Sequence, residues 1–276
     1  MSVAPRRPVI TLLTDYGTTD EFAGILHGVI AMICPDVRII DLTHGITRHD
    51  IHGGAQILAQ SLPYMPAGVH LAVVDPTVGS DRRAVALRTA DGRALVGPDN
   101  GLLWPAVEAC GGVLQAFEIS RSRWRLDPVS PTFHGRDIFA PVAAHLADGA
   151  RFEDAGEPLD PELLVRWRAP RARIEGGALV VSVVNADGFG NLQLGAGLQD
   201  LHGLDVELGD PLQVRLASGE SHTATYARTF SDAPAGDLIV FEDAAHRLAV
   251  AFNRDSAAIR LGLRPDDQLR ISVVRG

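Results

Sequence analysis

From Val9 to Thr14 the chain is almost unbroken in apolar residues, the pattern of a strand buried on both faces. Asp15-Tyr16-Gly17 follows as a turn. The period then changes. Phe22, Ile25, Leu26, Val29, Ile30 and Ile33 recur at spacings of three and four, which predicts a helix from Asp20 to Ile33 capped by Thr19 or Asp20. A strand is predicted from Val37 to Leu42, a helix from Ile51 to Leu62 and a strand from Val69 to Val74. This alternation implies a parallel sheet with helices on both faces. Ala84 to Thr89 and Arg93 to Val96 then read as a hairpin around Asp91-Gly92. Gly101 to Cys110 reads as a helix, Leu114 to Ile119 as a strand, and Ser120 to about Phe133 as a polar, Arg-rich loop. Gly135 to Gly149 reads as a helix whose apolar face is Ile138, Phe139, Val142 and Leu146.

Beyond this point the pattern changes. Pro158, Pro161 and Pro170, with charges between them, mark a connection between domains. Short, turn-rich strands follow at Ala178 to Val184, Asn191 to Leu194, Leu212 to Ala217, Thr223 to Ala227, Asp237 to Phe241 and Leu248 to Phe252. A short helix from Ser256 to Leu263 and a strand from Gln268 to Val274 close the chain. The expected architecture is an α/β domain with a mostly parallel sheet over residues 1–165, then a smaller mostly-β domain over residues 166–276.

Composition narrows the function. In 276 residues, 46% are hydrophobic and 21% charged, ordinary values for a globular protein, and the formal net charge is −9. That balance argues against nucleic acid as a partner, because phosphate-backbone binding needs a surplus of Lys and Arg. No apolar run approaches the roughly 18 residues that span a membrane, and Met1 to Pro8 leads into only five apolar-leaning residues, too few for a signal-peptide core. Cys34 and Cys110 sit in apolar surroundings and neither has a CxxC partner, so both read as buried free thiols. A cytoplasmic, soluble protein is expected.

The acids Asp15, Asp41 and Asp75 stand where strands end, the position at which open α/β sheets bind ligands. A carboxylate there can take both hydroxyls of a ribose. The chain has neither a GxGxxG nor a P-loop pattern, so a nucleoside-like ligand need not carry phosphates. After Asp75, Pro76 and Gly79 turn the chain, and Arg82 returns within reach of the carboxylate. The same residues also read as a capped turn and a solvated charge. His134, in Pro131-Thr132-Phe133-His134-Gly135-Arg136-Asp137, falls at a helix start, which disfavours its protonated form. Asn185 to Asn191 reads as a hairpin turn, or as a ligand clamp using Asp187, Phe189 and Asn191. His44, His49 and His52, near Asp41 and Asp50, lack any tight zinc spacing, and no metal is expected there.

Several motifs in order resemble the S-adenosylmethionine hydrolases, also called S-adenosylmethionine hydroxide adenosyltransferases, relatives of the fluorinases and chlorinases. They are Leu13-Thr14-Asp15-Tyr16-Gly17-Thr18, Asp41-Leu42-Thr43-His44, Val74-Asp75-Pro76-Thr77-Val78-Gly79 and Gly97-Pro98-Asp99-Asn100-Gly101-Leu102-Leu103. Thr132 to Asp137, Asp187 to Asn191, Ala251-Phe252-Asn253 and Ser256-Ala257-Ala258 continue the match to about Leu263. The resemblance implies an N-terminal α/β domain and a barrel-like C-terminal domain. It also implies a homotrimer, with ligand held between the N-terminal domain of one subunit and the C-terminal domain of its neighbour. The hydrolase branch carries an Asp-Arg-His set around a water, which maps onto Asp75, Arg82 and His134. The halogenases lack that set, which disfavours halide chemistry here. Asp15 matches the ribose-binding acid, and Asp187 the acid that faces the methionine amine. Phe189 and Asn191 match loop residues at the ligand, and Asn253 and Arg254 the segment whose backbone meets the adenine. His49 stands where relatives place an aromatic, and Ala244 where they place a Ser; Ala245 and His246 are also atypical.

The implied reaction is attack of water on the 5′ carbon of S-adenosylmethionine, with that molecule as substrate and no cofactor. A thioether leaves neutral and needs no general acid, so alignment and a poised water are what the site must supply. Two other classes fit less of the sequence. One is an S-adenosylmethionine- or nucleoside-binding protein without turnover. The other is a metal-dependent hydrolase using His44, His49 and His52.

Overall fold

The computed structural model describes residues 7–274. The stretch read as lacking a leader lies, up to residue 6, outside them. The chain divides into two compact units between Arg168 and Ala169.

In the first unit β1 (Val9–Thr14), α1 (Phe22–Ile33), β2 (Arg38–Thr43), α2 (Ile51–Ser61) and β3 (Val69–Val73) follow the predicted rhythm. Then come β4 (Ala84–Thr89), β5 (Ala94–Pro98), α3 (Trp104–Ala109), β6 (Val113–Glu118), α4 (Ala140–Ala147) and β7 (Glu157–Pro158). The sheet runs β2-β1-β3-β5-β4-β6-β7. Its β2-β1-β3-β5 half is parallel, as the alternation of strands and helices requires. The β4–β5 hairpin, with a left-handed Gly92 in its turn, reverses the direction, and β6 and β7 join antiparallel. The sheet is therefore mixed.

β1 and β3 are mostly apolar because period-two alternation sends their side chains to two buried faces. Ile10, Leu12, Leu71 and Val73 pack with Leu26, Val29 and Ile30 of α1 and Val142 of α4. Leu13 and Ala72 face the other way, onto Ala55 and Leu58 of α2 and Ala106 and Val107 of α3. Full burial of each large side chain is worth about 1.5–3 kcal/mol, so both faces are strongly specified. Cys34 and Cys110 are buried free thiols, as expected. No helix among the described residues is long and apolar enough to cross a membrane.

His70 is a polar residue inside this core, fully buried, with Nδ1 2.9 Å from Thr11 Oγ1. Burial, then the nearby Arg93 charge, lowers its pKa from 6.5 to about 4. The unfolded chain therefore takes up the proton first as pH falls. The stability from keeping His70 neutral is full above about pH 6.5 and lost as pH drops towards 4, an effect of about 3 kcal/mol. Urea unfolding of the first unit at a series of pH values is expected to show this slope, and His70→Gln to flatten it.

Helix ends differ from the expectation for local reasons. α1 starts at Phe22 with Glu21 in the cap position, and neither Thr19 nor Asp20 caps it. α2 is capped by Asp50, whose carboxylate accepts from Gly53 N at 2.8 Å. The helix predicted from Gly135 to Gly149 is two pieces. A wide π-type turn spans Gly135–Phe139, closed by Ala140 N–H donating to Gly135 O, and α4 follows. Pro141 has no N–H for the carbonyl of Asp137. That carbonyl accepts instead from Leu126 N at 2.7 Å, which ties the polar loop to the helix start.

The second unit contains β8 (Arg173–Glu175), β9 (Ala178–Ala186), β10 (Leu192–Leu194), α5 (Leu198–His202), β11 (Pro211–Leu216) and β12 (Ser221–Tyr226). It ends with β13 (Leu238–Glu242), β14 (Leu248–Phe252), α6 (Ala257–Leu261) and β15 (Gln268–Val273). The order β10-β14-β13-β12-β11-β15-β9, with β9 pairing back to β10, closes a seven-stranded barrel; β8 adds to β9 outside it. Closure removes free sheet edges. Alternating residues fill the interior: Leu212, Val214 and Leu216 of β11 pack with Val181, Val183, Val240, Val250 and Ile271.

Candidate active site

β3 ends at Val73, and Asp75 lies just beyond its carboxyl end. Asn100 holds that end in place, its Nδ2 donating to Val74 O at 2.8 Å. Pro76 to Arg83 then loops back to β4. Gly79 makes the loop possible: its φ is +81°, and a Cβ there would stand 2.5 Å from Pro131 O. The loop therefore rests on the backbone three residues before His134.

The returning loop brings Arg82 onto Asp75. Arg82 Nε donates to Asp75 Oδ1 at 3.1 Å and Oδ2 at 2.9 Å, and Nη2 also donates to Oδ2. The pair is buried, with 8% of the Arg82 side chain and 5% of the Asp75 side chain exposed. Arg82 Nη2 also lies 2.9 Å from His134 Nδ1. Arginine only donates, so Nδ1 must accept and carries no proton; the imidazole proton sits on Nε2. Burial and then the Arg82 charge lower the His134 pKa, in agreement with a neutral ring. The Arg82 guanidinium lies 5.2 Å from the centroid of the Phe139 ring, so the π-type turn that follows His134 also supports the arginine.

Asp137, in that turn, is fixed rather than free to react. Its carboxylate accepts from Ser130 N at 2.8 Å and from Arg136 Nε at 2.7 Å. Burial pushes its pKa up, but the hydrogen bonds from Arg136 and Ser130 outweigh this and hold it below the usual value.

Asp15, Tyr16, Asp75 and His134 line one open cavity of about 320 Å³, with Phe22, Arg48, His49, Val78, Thr132 and Phe133 among its other walls. Asp15 Oδ2 accepts from His49 N at 3.0 Å, and His49 is held at φ 68°, a left-handed conformation. Tyr16, Phe22 and Phe133 pack edge to face at centroid distances of 6.0, 5.9 and 5.2 Å. Burial and then the nearby Asp15 charge raise the Tyr16 pKa, so its hydroxyl stays protonated. That hydroxyl fills the space beside Gly135, where a Cβ would come within 2.2 Å of it. The sequence marks Asp15-Tyr16-Gly17 as a turn but does not mark Tyr16 as a wall. The packing of Tyr16 against Phe133 joins residues far apart in the chain and leaves no local signal.

In the second unit Asp187 is tied into its own loop. Its Oδ1 accepts from Phe189 N and Asn191 N, each at 2.9 Å, and its Oδ2 from Asn191 Nδ2 at 2.8 Å. The loop is thus the hairpin turn between β9 and β10; the turn orders the carboxylate, and Phe189 is 84% exposed. Gly190, at φ +83°, passes so close to Ser256 that a Cβ would lie 2.0 Å from its Oγ. Asn253 N donates to Asp237 O at 2.9 Å, Gly236 N donates to Asn253 O at 2.8 Å, and Asn253 Nδ2 donates to Ala233 O at 2.8 Å. Arg254 is exposed, at φ 67°.

The histidines considered for a metal do not converge. His49 lines the cavity and His52 stacks on Trp167 at 4.3 Å between centroids. His44 meets Asp41 and His27 instead. Sequence spacing gives no hint of His27, because it reaches the pair from another element.

Fold and cluster together define a class: a two-unit protein with an α/β unit that carries a carboxylate–guanidinium–imidazole cluster at its strand ends, followed by a closed β-barrel. The N-terminal domain pattern of the SAM hydroxide adenosyltransferases matches residues 10–156 and their C-terminal domain pattern residues 181–270, and the chain belongs to this family. It is 47% identical to an (R)-S-adenosyl-L-methionine hydrolase of Salinispora tropica, over 96% of this chain and 98% of that one. A fluorinase of an Actinoplanes species is 29% identical, over 93% of this chain and 95% of its own. A crystal structure of an uncharacterized conserved protein from Thermotoga maritima superposes with a TM-score of 0.88 at 33% identity, covering 95% of this chain and 99% of that one.

Proposed function

We propose that this protein hydrolyses S-adenosyl-L-methionine to adenosine and L-methionine. The observation that carries the reading is the buried Asp75–Arg82–His134 contact, whose Asp75 and His134 line one cavity with Asp15. Water attacks the ribose 5′ carbon as the bond from that carbon to sulfur breaks. The bonding electrons go to sulfur, methionine leaves as a neutral thioether, and one proton is released.

Asp75 orients the water and takes up its hydrogen bond. Both Asp75 oxygens are already engaged by Arg82, so alignment is its main contribution. Arg82 stabilises the negative charge that develops on the attacking oxygen. His134 acts through Arg82, holding the guanidinium in position with its unprotonated Nδ1. Asp15 takes the ribose hydroxyls. Asp187, Phe189 and Asn191 hold the methionine side, and the backbone around Asn253 and Arg254 meets the adenine. These second-unit residues come from a neighbouring subunit of a homotrimer. Two buried free thiols suit the reducing cytoplasm, where we place the protein.

Incubation of the pure protein with S-adenosylmethionine, without added metal, tests the reading by chromatography of the products. Adenosine and methionine in equal amounts are expected. Ligand bound but uncleaved would replace this reading with that of a binding protein.

Gly79 gives a sharper test of the geometry. Gly79→Ala forces a left-handed alanine against Pro131 O and is expected to destabilise the protein by about 1–3 kcal/mol. Because the displaced loop carries Arg82, kcat is expected to fall more than KM rises. Steady-state kinetics beside a melting curve checks both parts.

A further inference from the structure

A second cluster lies away from the Asp75–Arg82–His134 contact. His27 of α1, Asp41 of β2 and His44 just after β2 each offer one donor atom, and the three atoms lie within 4.8 Å of one another. His27 Nε2 is 2.9 Å and His44 Nε2 3.1 Å from Asp41 Oδ1. We propose that these three side chains bind one first-row divalent transition ion, zinc being the reference case.

Three features support an ion here over an ordinary ion pair. The first is spacing. Donors about 2.0–2.1 Å from a tetrahedral zinc stand about 3.4 Å apart, so the two His–Asp separations need to open by only a few tenths of an ångström, and the two imidazoles already lie within 4.8 Å of each other. The second is His44 itself. It is 7% exposed, yet its buried Nε2 has no hydrogen-bond partner of good geometry, although it points at Asp41. A buried polar atom left in that state costs stability, and a metal bond would satisfy it. The third is the atom behind the ring. His44 Nδ1 lies 2.8 Å from Thr14 Oγ1. Donation of Nδ1–H to that hydroxyl leaves the Nε2 lone pair facing the cluster, the support usual behind a metal-bound imidazole.

Imidazole and carboxylate donors favour zinc, cobalt, nickel or copper over magnesium or calcium, which prefer all-oxygen sets. The side chains of His27 and Asp41 are 39% and 43% exposed, so an ion has an entry path and room for water as a fourth ligand. The ion would join α1 to the end of β2. It would also brace the turn next to the cavity, because Thr14 Oγ1 accepts from Tyr16 N at 3.2 Å and His44 O accepts from Gly17 N at 2.7 Å. The role is structural and stands apart from the hydrolysis proposed above.

The test uses untagged protein stripped with a chelator and then dialysed. Calorimetric titration with zinc chloride is expected to give one ion per chain, and the melting temperature is expected to rise with zinc but not with magnesium. His27→Ala lies at the surface and should fold normally by circular dichroism; with Asp41→Asn, it is expected to weaken zinc binding by at least about tenfold. His246→Ala, on the exposed barrel surface, is expected to bind as the parent does. Absence of stoichiometric zinc binding, or equal affinity in parent and His27→Ala, would overturn the site and leave an ordinary His–Asp ion pair. Loss of binding in His246→Ala as well would overturn it in favour of scattered surface histidines.

Discussion

Asp75→Asn is expected to lower turnover of S-adenosylmethionine by about 10²-fold or more, the cost of misplacing the attacking water. The change keeps the size of the side chain and removes its charge. The amide that replaces the carboxylate keeps one carbonyl oxygen to accept from Arg82, but it leaves the buried guanidinium without a counter-charge, so the variant should also melt below the parent. Ligand affinity should change little, because the side chain keeps its size and Asp15 and the other walls of the cavity are untouched. The distinguishing result is therefore a large fall in kcat with a dissociation constant near the parent value. Single-turnover kinetics beside equilibrium binding measures the two separately. Equal loss of both would mean that Asp75 holds the ligand rather than the water.

Arg82→Ala is expected to have the larger combined effect. It leaves the Asp75 carboxylate, 5% exposed, without a counter-charge. Breaking a buried pair from one side costs about 3–5 kcal/mol, far more than loss of a surface pair. The variant should melt well below the parent and lose turnover together. Arg82→Ala combined with Asp75→Ala removes both charges, and is expected to recover much of the stability and none of the turnover. A double variant as unstable as Arg82→Ala would show that packing of the arginine against Phe139, and not the stranded carboxylate, sets the cost.

The parallel half of the first unit is legible because β1 and β3 are buried on both faces, which writes mostly apolar runs into the sequence. The helix beginnings are less so. The helix predicted at Gly135 ignores Pro141, whose missing N–H leaves the Asp137 carbonyl to Leu126 and splits the segment. Gly101 to Cys110 reads as helix throughout, but α3 begins only at Trp104, with Pro105 in its first turn. The three-residue strand β8 and the five-residue helix α5 escape a reading by pattern. Each is too short to establish a period.

The candidate site divides in the same way. Asp75 and Arg82 can be paired from their own spacing, since a glycine-containing turn of that length returns the chain. His134 cannot be added from spacing alone. It joins them because the loop rests on Pro131, a contact visible only as the close approach of Gly79. The Asp187 turn is legible from its glycines, and its self-bonded carboxylate follows from the preference of Asp for the backbone nearby. The His27–Asp41–His44 cluster leaves no sequence signal, because α1 contributes one residue and the end of β2 the other two.

The central claim is that water, placed by Asp75 and Arg82, attacks the ribose carbon. Its most direct test is one turnover in water enriched in heavy oxygen, with both products analysed by mass spectrometry. The account predicts one heavy oxygen in the 5′-hydroxyl of adenosine and none in methionine. Label in methionine, or cleavage that leaves the adenosine oxygen unlabelled, would contradict it.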